Sequence, residues 1–344
     1  MHRNGVISCF AARSRDEGVL INSSSGGVFS ELARYIVAQG GIAVGAGWDE
    51  SACRVIHKCV ESEKEIPAIC GTKYVQSTIK TDIWRKIEVA LQGDRYVLFS
   101  GTPCQTAAVR KRFGDIKRLV LCGLICHSNV PLTVWEIYVS EIESGCASRL
   151  RSVKFRDKRL GWENSTMVFN FEDPLCNFTR SLYADAYGRA YLQGYTAAES
   201  CLNCQFKLKK SGADLIIGDF WGGAQVIPEW DDRKGMSAVV ILNSGAAVLL
   251  ERCNLDLKPV EYTSILKNNP YLEASITPDK EKRLRFQTVY SEKGIRKALH
   301  YAEFGPWPKQ LVTVPCYCYK RSVTWSKLVA KFFLRKLFGY GKVT

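Results

Sequence analysis

The chain has 344 residues, 46% of them hydrophobic and 24% charged, which is the balance of an ordinary globular protein of about two domains. It contains neither an apolar run of roughly 18 residues nor a signal-peptide pattern, so we expect a cytoplasmic protein whose 14 cysteines are buried thiols or metal ligands rather than disulfides. The net charge of +14 indicates an anionic partner or ligand, but the sequence has no zinc-finger, RNP or basic-arm pattern, so nucleic acid is not expected.

The first predicted elements surround a turn rich in serine and glycine. A short apolar run predicts a strand over 19–21, and apolar residues at helical spacing predict a helix over 28–39. A serine would cap this helix, and the glycines would let an anion such as phosphate approach its first N–H groups. A capped helix without a ligand is the alternative. The turn residues that we expect to contact a ligand are Ser24, Ser25, Gly26 and Gly27.

A second site pattern begins at a compact strand over 96–100. Gly101 and Thr102 lead from this strand into a predicted helix over 103–112, whose first position is a proline. Cys104 therefore lies in the first helical turn, where the helix dipole favours thiolate. We interpret Cys104 as functional rather than structural.

The next predicted strand ends at a cysteine and a histidine. An apolar run over 118–125 is followed by Cys126, His127 and a predicted helix over 131–144. Open α/β sheets place their binding sites at the carboxyl ends of parallel strands. Cys104 and Cys126 are therefore expected at the same edge of one sheet, with His127 available to orient a ligand.

Alternating residues predict antiparallel strands in the second half of the chain, over 153–158 and 166–171. Arg156 and Lys158 would share one face of the first strand. This arrangement suits an anionic ligand, but it is also typical of a solvated surface.

Two cysteines spaced as C-x2-C, Cys201 and Cys204, supply half of a four-thiolate site. Cys104 and Cys126 are the candidates for the other half, and such a site suits either zinc or an iron–sulfur cluster. Asp219 follows in a turn flanked by glycines that we expect to face a ligand. The remaining predicted elements are strands over 215–217 and 237–242 and a helix over 245–253.

These patterns predict an α/β (α+β) fold: an N-terminal open, mostly parallel sheet with flanking helices, a second mixed α+β unit and a C-terminal amphipathic helix. We expect domains over 1–150 and 151–315 and a basic amphipathic tail over 316–344. The tail suits either docking on its own domain or peripheral contact with an anionic membrane surface.

Seven segments of the chain, taken in order, resemble the coenzyme F420 hydrogenase/dehydrogenase beta-subunit family. The segments that carry the resemblance are 23–29, 71–77, 101–105, 125–127, 155–158, 201–204 and 217–222. The resemblance implies a flavoprotein that holds FAD and a 4Fe-4S cluster, with Cys104, Cys126, Cys201 and Cys204 as the cluster ligands. Its implied flavin contacts are Ser24, Ser25, Gly26, Gly27, Lys73, Gln76, Ser77, Gly101, Thr102, Arg156 and Lys158. His127 and Asp219 are the expected acid–base residues.

The sequence departs from this family at two points. Many members begin with a ferredoxin-like domain that carries two runs of cysteines, and the N-terminus here shows only Cys9. We therefore expect electrons to come from a separate ferredoxin or another iron–sulfur donor, attracted by the positive charge. Ser128 stands where relatives often show glycine, which leaves the second substrate open.

The expected function is that of an iron–sulfur flavoprotein oxidoreductase with a small-molecule acceptor. The acceptor is a deazaflavin or another organic molecule, and short relatives of this type suggest a polysaccharide-biosynthesis pathway. The alternative is a non-enzymatic scaffold with a structural zinc ion bound by the same four cysteines.

Overall fold

A computed structural model describes residues 5–305 of the chain. The described residues up to Glu303 belong to one compact unit. The tail predicted over 316–344, with its amphipathic helix and membrane contact, lies outside the described residues. No helix within the described range combines the length and the apolar character needed to cross a membrane.

Eleven strands and ten α-helices form the described part of the chain. The strands are β1 (Ser8–Ser14), β2 (Ile42–Asp49), β3 (Arg54–Val60), β4 (Val97–Gly101), β5 (Leu119–Leu124), β6 (Leu150–Asp157), β7 (Thr166–Phe171), β8 (Phe178–Ser181), β9 (Leu215–Asp219), β10 (Ser237–Ile241) and β11 (Leu255–Pro259). The helices are α1 (Glu17–Asn22), α2 (Val28–Ala38), α3 (Thr81–Gln92), α4 (Pro103–Phe113), α5 (Leu132–Cys146), α6 (Ala186–Leu192), α7 (Ser244–Glu251), α8 (Tyr262–Asn268), α9 (Lys280–Gln287) and α10 (Tyr290–Phe304).

Eight strands form one open sheet in the order β11-β1-β10-β9-β5-β4-β2-β3. Its central strands β2, β4, β5 and β9 run parallel, and antiparallel pairs extend the sheet on both sides. A second, antiparallel sheet has the order β6-β7-β8. The predicted fold class is confirmed: an α/β protein with an open sheet, parallel at its centre, flanking helices and a second small sheet.

The centre of the large sheet is covered on both faces, as its continuous apolar strands require. In β4, Leu98 packs in the core layer that contains α2 and α7. Its neighbours Val97 and Phe99 point to the opposite face, where they pack with residues of α3 and α4. Successive residues of a strand face opposite sides, so β4 is buried along its whole length.

A third core layer joins the small sheet to the helices of the second half of the chain. Trp135 and Tyr138 of α5 pack against Phe169 of β7 and Tyr187 of α6, and all four are fully buried. This aromatic cluster fixes the small sheet, and with it Arg156 of β6.

Most predicted elements are present, and two details were wrong. Residues 19–21 belong to helix α1 and not to a strand, because the Asp16 side chain accepts a hydrogen bond from the Val19 N–H at 3.1 Å and caps the helix. The N-cap of α2 is Gly27 and not a serine. β1, which was not predicted, pairs between β10 and β11.

Strands from both sides of residue 150 share the large sheet, since β9, β10 and β11 lie beside β1 and β5. Residue 150 is the first residue of β6 and does not mark a break in that sheet. The boundaries near 150 and 315 remain predictions.

Candidate functional site

A cavity of about 470 Å³ lies at the carboxyl ends of the parallel strands. This is the edge at which open α/β sheets bind ligands, and the volume lies within the usual range of ligand pockets. The residues that end β4, β5 and β9 contribute to its wall, together with the start of α2, the loop over 69–77 and the segment over 268–271.

The start of α2 faces this cavity without a side-chain cap. Its N-cap Gly27 has a φ of 84° and makes no side-chain hydrogen bond to the first turn. The next three residues, Val28, Phe29 and Ser30, line the cavity. Uncapped N–H groups at the positive end of a helix dipole form a site for an anion.

Lys73 adds a cation to the same cavity. Its Nζ atom donates to the carbonyl oxygens of Ala46 and Cys70, both at 2.6 Å. An ammonium group has three N–H donors, so one remains for a ligand. Burial lowers the pKa of Lys73 to about 8, which keeps the amine mostly protonated at neutral pH.

The serine and glycine turn is held by its own contacts. Ser24 Oγ accepts a hydrogen bond from the Thr72 N–H at 2.7 Å, and Ser25 Oγ donates to the Met236 carbonyl at 2.8 Å. Ser24, Ser25 and Gly27 line the cavity. A Cβ atom on Gly26 would lie 2.1 Å from the backbone oxygen of Ala12, so this position needs glycine for packing.

Lys158 supports this turn from behind. Its Nζ atom donates to the carbonyl oxygens of Leu20, Ser25 and Lys234, at 2.7, 2.6 and 2.5 Å. All three N–H donors of the ammonium are therefore used by the backbone. Lys158 does not contribute to the cavity wall, so it positions the turn instead of facing the ligand directly.

Arg156 and Asp219 form a largely buried ion pair in the wall of the cavity. The side chain of Arg156 is 3% exposed and that of Asp219 is 16% exposed. The guanidinium also lies 5.2 Å from the ring centroid of Trp221, which stacks on Trp162 at 4.7 Å. Arg156, Asp219 and Trp221 all line the cavity. The Asp219 carboxylate is thus held by a cation, which suits anchoring better than proton transfer.

The loop before α3 and the start of α4 meet at the floor of the cavity. Ser77 Oγ accepts a hydrogen bond from Gln105 Nε2 at 2.9 Å, and Gln105 completes a capping box with Thr102. Ser77, Gly101 and Thr102 line the cavity. Gln76 is exposed and lies outside this wall.

His127 lies in the cavity wall between two tyrosines. Its ring centroid is 4.8 Å from that of Tyr191 and 4.6 Å from that of Tyr271. Its Nδ1 atom is 3.0 Å from Ser128 Oγ. Burial lowers the pKa of His127 to about 4, so the imidazole is neutral at physiological pH.

The four predicted cluster cysteines converge beside the cavity. Burial raises the pKa of the Cys126 thiol to about 12; Lys207 lowers this pKa, and Cys201, Cys104 and Cys204 raise it further. Cys126 itself lines the cavity.

Hydrogen bonds fix the segments that carry these cysteines. The Asn129 N–H donates to Cys201 Sγ at 3.3 Å, and Lys207 Nζ donates to the Cys126 carbonyl at 2.8 Å. The Cys204 N–H donates to Ser275 Oγ at 2.8 Å. The C-x2-C turn is therefore tied to the end of β5.

The spacing of the thiols bears on which metal they suit. Within residues 5–305, no three His, Cys, Asp or Glu side chains lie close enough to hold a single metal ion. Four sulfurs on one zinc, each at about 2.3 Å, would stand about 3.8 Å apart. In a cluster each thiolate binds a different iron, so the sulfurs stand farther apart. Four thiolate donors are the ligand set of a 4Fe-4S cluster and also of a structural zinc ion.

Several cavity residues were not predicted. Cys70 lines the cavity with its Sγ atom 3.2 Å from Ser30 Oγ, and the aromatic wall includes Trp221, Tyr191 and Tyr271. Trp221 lies within a motif that the sequence made visible. The other three carry no local pattern that separates them from core residues.

Comparisons with known proteins agree with this picture. Residues 94–262 match the family model that describes the C terminus of the coenzyme F420 hydrogenase/dehydrogenase beta subunit. Thirteen chains of solved structures match the fold. One belongs to the F420-reducing NiFe hydrogenase complex from Methanosarcina barkeri; it has a TM-score of 0.52 and 17% identity, and the match covers 83% of this chain and 94% of that chain. No curated protein matches the sequence. The predicted family resemblance is confirmed.

Proposed function

We propose that the chain, which matches the model of the coenzyme F420 hydrogenase/dehydrogenase beta-subunit family over residues 94–262, is an iron–sulfur flavoprotein reductase of that family. One observation carries the proposal. Cys126, a predicted cluster ligand, lines the same cavity as the uncapped start of α2 and Lys73. A metal centre and an organic cofactor would therefore share one wall.

The cluster ligands in this proposal are the four convergent thiols. Cys104 is the second residue of α4, Cys126 follows β5, and Cys201 and Cys204 lie on one turn. The hydrogen bond from the Asn129 N–H to Cys201 Sγ supports the assignment, because N–H donors to ligand sulfurs tune the potential of a cluster.

The flavin pocket in this proposal is the cavity itself. The first turn of α2, Lys73 and the Ser24 turn would hold the phosphate groups of FAD, with Lys158 holding that turn from behind. The apolar surface of the FAD would be covered by Trp221, Tyr191 and Tyr271. When bound, the two cofactors together supply one-electron exchange and hydride transfer.

The roles of the remaining predicted residues follow from their contacts. Asp219 and Arg156 neutralise each other and hold Trp221 at the cavity wall. His127, neutral and packed between Tyr191 and Tyr271, excludes water beside Cys126 and is the residue that we propose to contact the reacting ring.

The substrates remain proposals of the same kind. The electron donor is a separate iron–sulfur protein, such as a ferredoxin, and the acceptor is a small organic molecule. A deazaflavin acceptor follows from the name of the hydrogenase complex that shares the fold. The predicted polysaccharide pathway and the cytoplasmic location also stay proposals.

A structural zinc scaffold is the competing function, and metal analysis separates the two. Protein purified without oxygen should contain about four iron atoms and four acid-labile sulfides per chain, together with flavin. Stoichiometric zinc without iron or flavin would support the scaffold.

Replacing Lys73 by methionine should weaken FAD binding by roughly 30-fold, because a charge-assisted hydrogen bond to phosphate contributes about 2 kcal/mol. Titration of flavin fluorescence against the apoprotein measures the dissociation constant. Lys73→Met also removes two hydrogen bonds to backbone carbonyls, so its free energy of unfolding should fall, and thermal unfolding is measured beside the titration.

Lys158→Met is the matched control. It removes three hydrogen bonds to backbone carbonyls, so the free energy of unfolding should fall while the FAD affinity changes less than in Lys73→Met. Equal loss of affinity in both variants would contradict the division of roles between the two lysines.

A further inference from the structure

The proposed metal centre reaches the molecular surface at one ligand. Cys104 is exposed, whereas Cys126, Cys201 and Cys204 are half-buried. On α4 the exposed residues Ala108 and Lys111 follow Cys104 at helical spacing, so the three form one stripe along the outer face of the helix. An electron entering from solvent would have its shortest path at the Cys104 end of this stripe.

A second exposed segment lies beside this stripe. Thr106 Oγ1 donates to the Ser211 carbonyl at 2.9 Å, and Arg110 Nε donates to the Gly212 carbonyl at 3.0 Å, which ties α4 to the chain just after the C-x2-C turn. Phe206, 40% exposed, belongs to that chain. We call the exposed residues of 103–112 and 203–212 the cluster-edge surface.

The cluster-edge surface is strongly basic. Residues 103–112 and 203–212 contain three basic residues each and no acidic residue. Lys111, Arg112, Lys209 and Lys210 are exposed. The nearest acidic residues in sequence, Asp115 and Asp214, are both paired with Arg110, at 3.0 and 2.8 Å. An exposed apolar residue and four exposed cations, on two segments that carry proposed cluster ligands, suit a small, charge-steered interface.

We propose that the cluster-edge surface is the docking site of a small acidic iron–sulfur protein that delivers electrons at Cys104. The inference rests on the proposed function for the identity of the partner. The transfer moves one electron from the partner, which is oxidised, to this chain, which is reduced; no bond forms or breaks. Steering by opposite charge makes the association fast and sensitive to salt.

Binding is tested without electron transfer. The probe is a ferredoxin of strongly negative net charge whose iron is replaced by gallium, titrated at low ionic strength. The double variant Lys111→Glu/Lys210→Glu should raise the dissociation constant at least about tenfold. The matched control Lys293→Glu/Lys297→Glu makes the same charge change on the exposed face of α10 and should stay within about twofold of the native protein.

Two results would overturn the docking site: no loss of affinity in the first variant, or the same loss in both. The docking site would also be overturned if Lys111→Glu/Lys210→Glu bound single-stranded RNA or anionic vesicles more weakly than the native protein but bound the ferredoxin equally well.

A redox measurement separates this proposal from the function on which it rests. Excess dithionite should reduce the native protein and both variants to the same extent, while an iron-containing reduced ferredoxin should reduce the first variant at least about tenfold more slowly. If dithionite reduces none of them, the oxidoreductase function fails, whereas the binding result still decides the docking site.

Discussion

Replacing Cys104 by serine should remove most of the iron from the protein, at least about a tenfold loss per chain, and weaken flavin retention. Cys104 is exposed on the first turn of α4, so a serine there costs little packing and leaves the effect on the metal visible. Cys201→Ser should do the same, while the serine oxygen can still accept the hydrogen bond from the Asn129 N–H. Iron and flavin content of protein purified without oxygen measures both effects.

Cys253→Ser is the control for these variants. Cys253 is buried in the core layer that contains α2 and α7, and its Sγ atom donates to the Leu249 carbonyl, 3.4 Å away. Serine keeps that hydrogen bond, so iron and flavin should remain at native levels. Loss of iron in all three variants alike would show that the ligand assignment is wrong.

Replacing Asp219 by alanine should lower the free energy of unfolding by about 3 kcal/mol, because it leaves the buried Arg156 guanidinium without its counter-charge. For a compact unit of this size that loss lowers the melting temperature by about 5 °C. Thermal unfolding followed by circular dichroism measures the shift. The cavity wall should also loosen, since Arg156 packs on Trp221.

Two further variants calibrate this prediction. Glu281→Ala breaks an exposed pair with Arg285 and should cost less than about 1 kcal/mol. The double variant Arg156→Met/Asp219→Leu removes both charges, so it should recover part of the stability that Asp219→Ala loses. If Asp219→Ala were no more destabilising than Glu281→Ala, the ion pair would not hold this wall.

The sequence predicts those elements whose hydrophobic pattern lies wholly within the element. β4 and β5 are continuous apolar runs, and α2 keeps helical spacing along its length. The short segment over 19–21 was misassigned because three apolar residues fit a strand or a helix equally well. Asp16, whose side chain caps α1, was the signal that decides between them.

The return of the chain to the first sheet could not be predicted. β9, β10 and β11 have ordinary strand patterns, and their places beside β5 and β1 depend on contacts between residues far apart in sequence. Only the termination of β9 near a glycine-flanked acid hinted that it ends at the same edge as β5.

The candidate site likewise contains residues whose role the sequence predicts and residues whose role it does not. Cysteines carry local patterns, namely a first helical turn for Cys104 and C-x2-C spacing for Cys201 and Cys204. The hydrogen-bond partners of a lysine leave no local pattern, because lysines with different partners look alike in sequence. Lys73 keeps one donor for the cavity and Lys158 uses all three on the backbone, and only their tertiary contacts distinguish these roles.

A reductive titration with dithionite, on protein prepared without oxygen, tests most directly whether the four thiols hold a cluster beside a flavin. The account predicts uptake of about three electrons per chain, one by a 4Fe-4S cluster and two by FAD, with loss of the visible absorption of both. A colourless protein that contains zinc and takes up no electrons would contradict it.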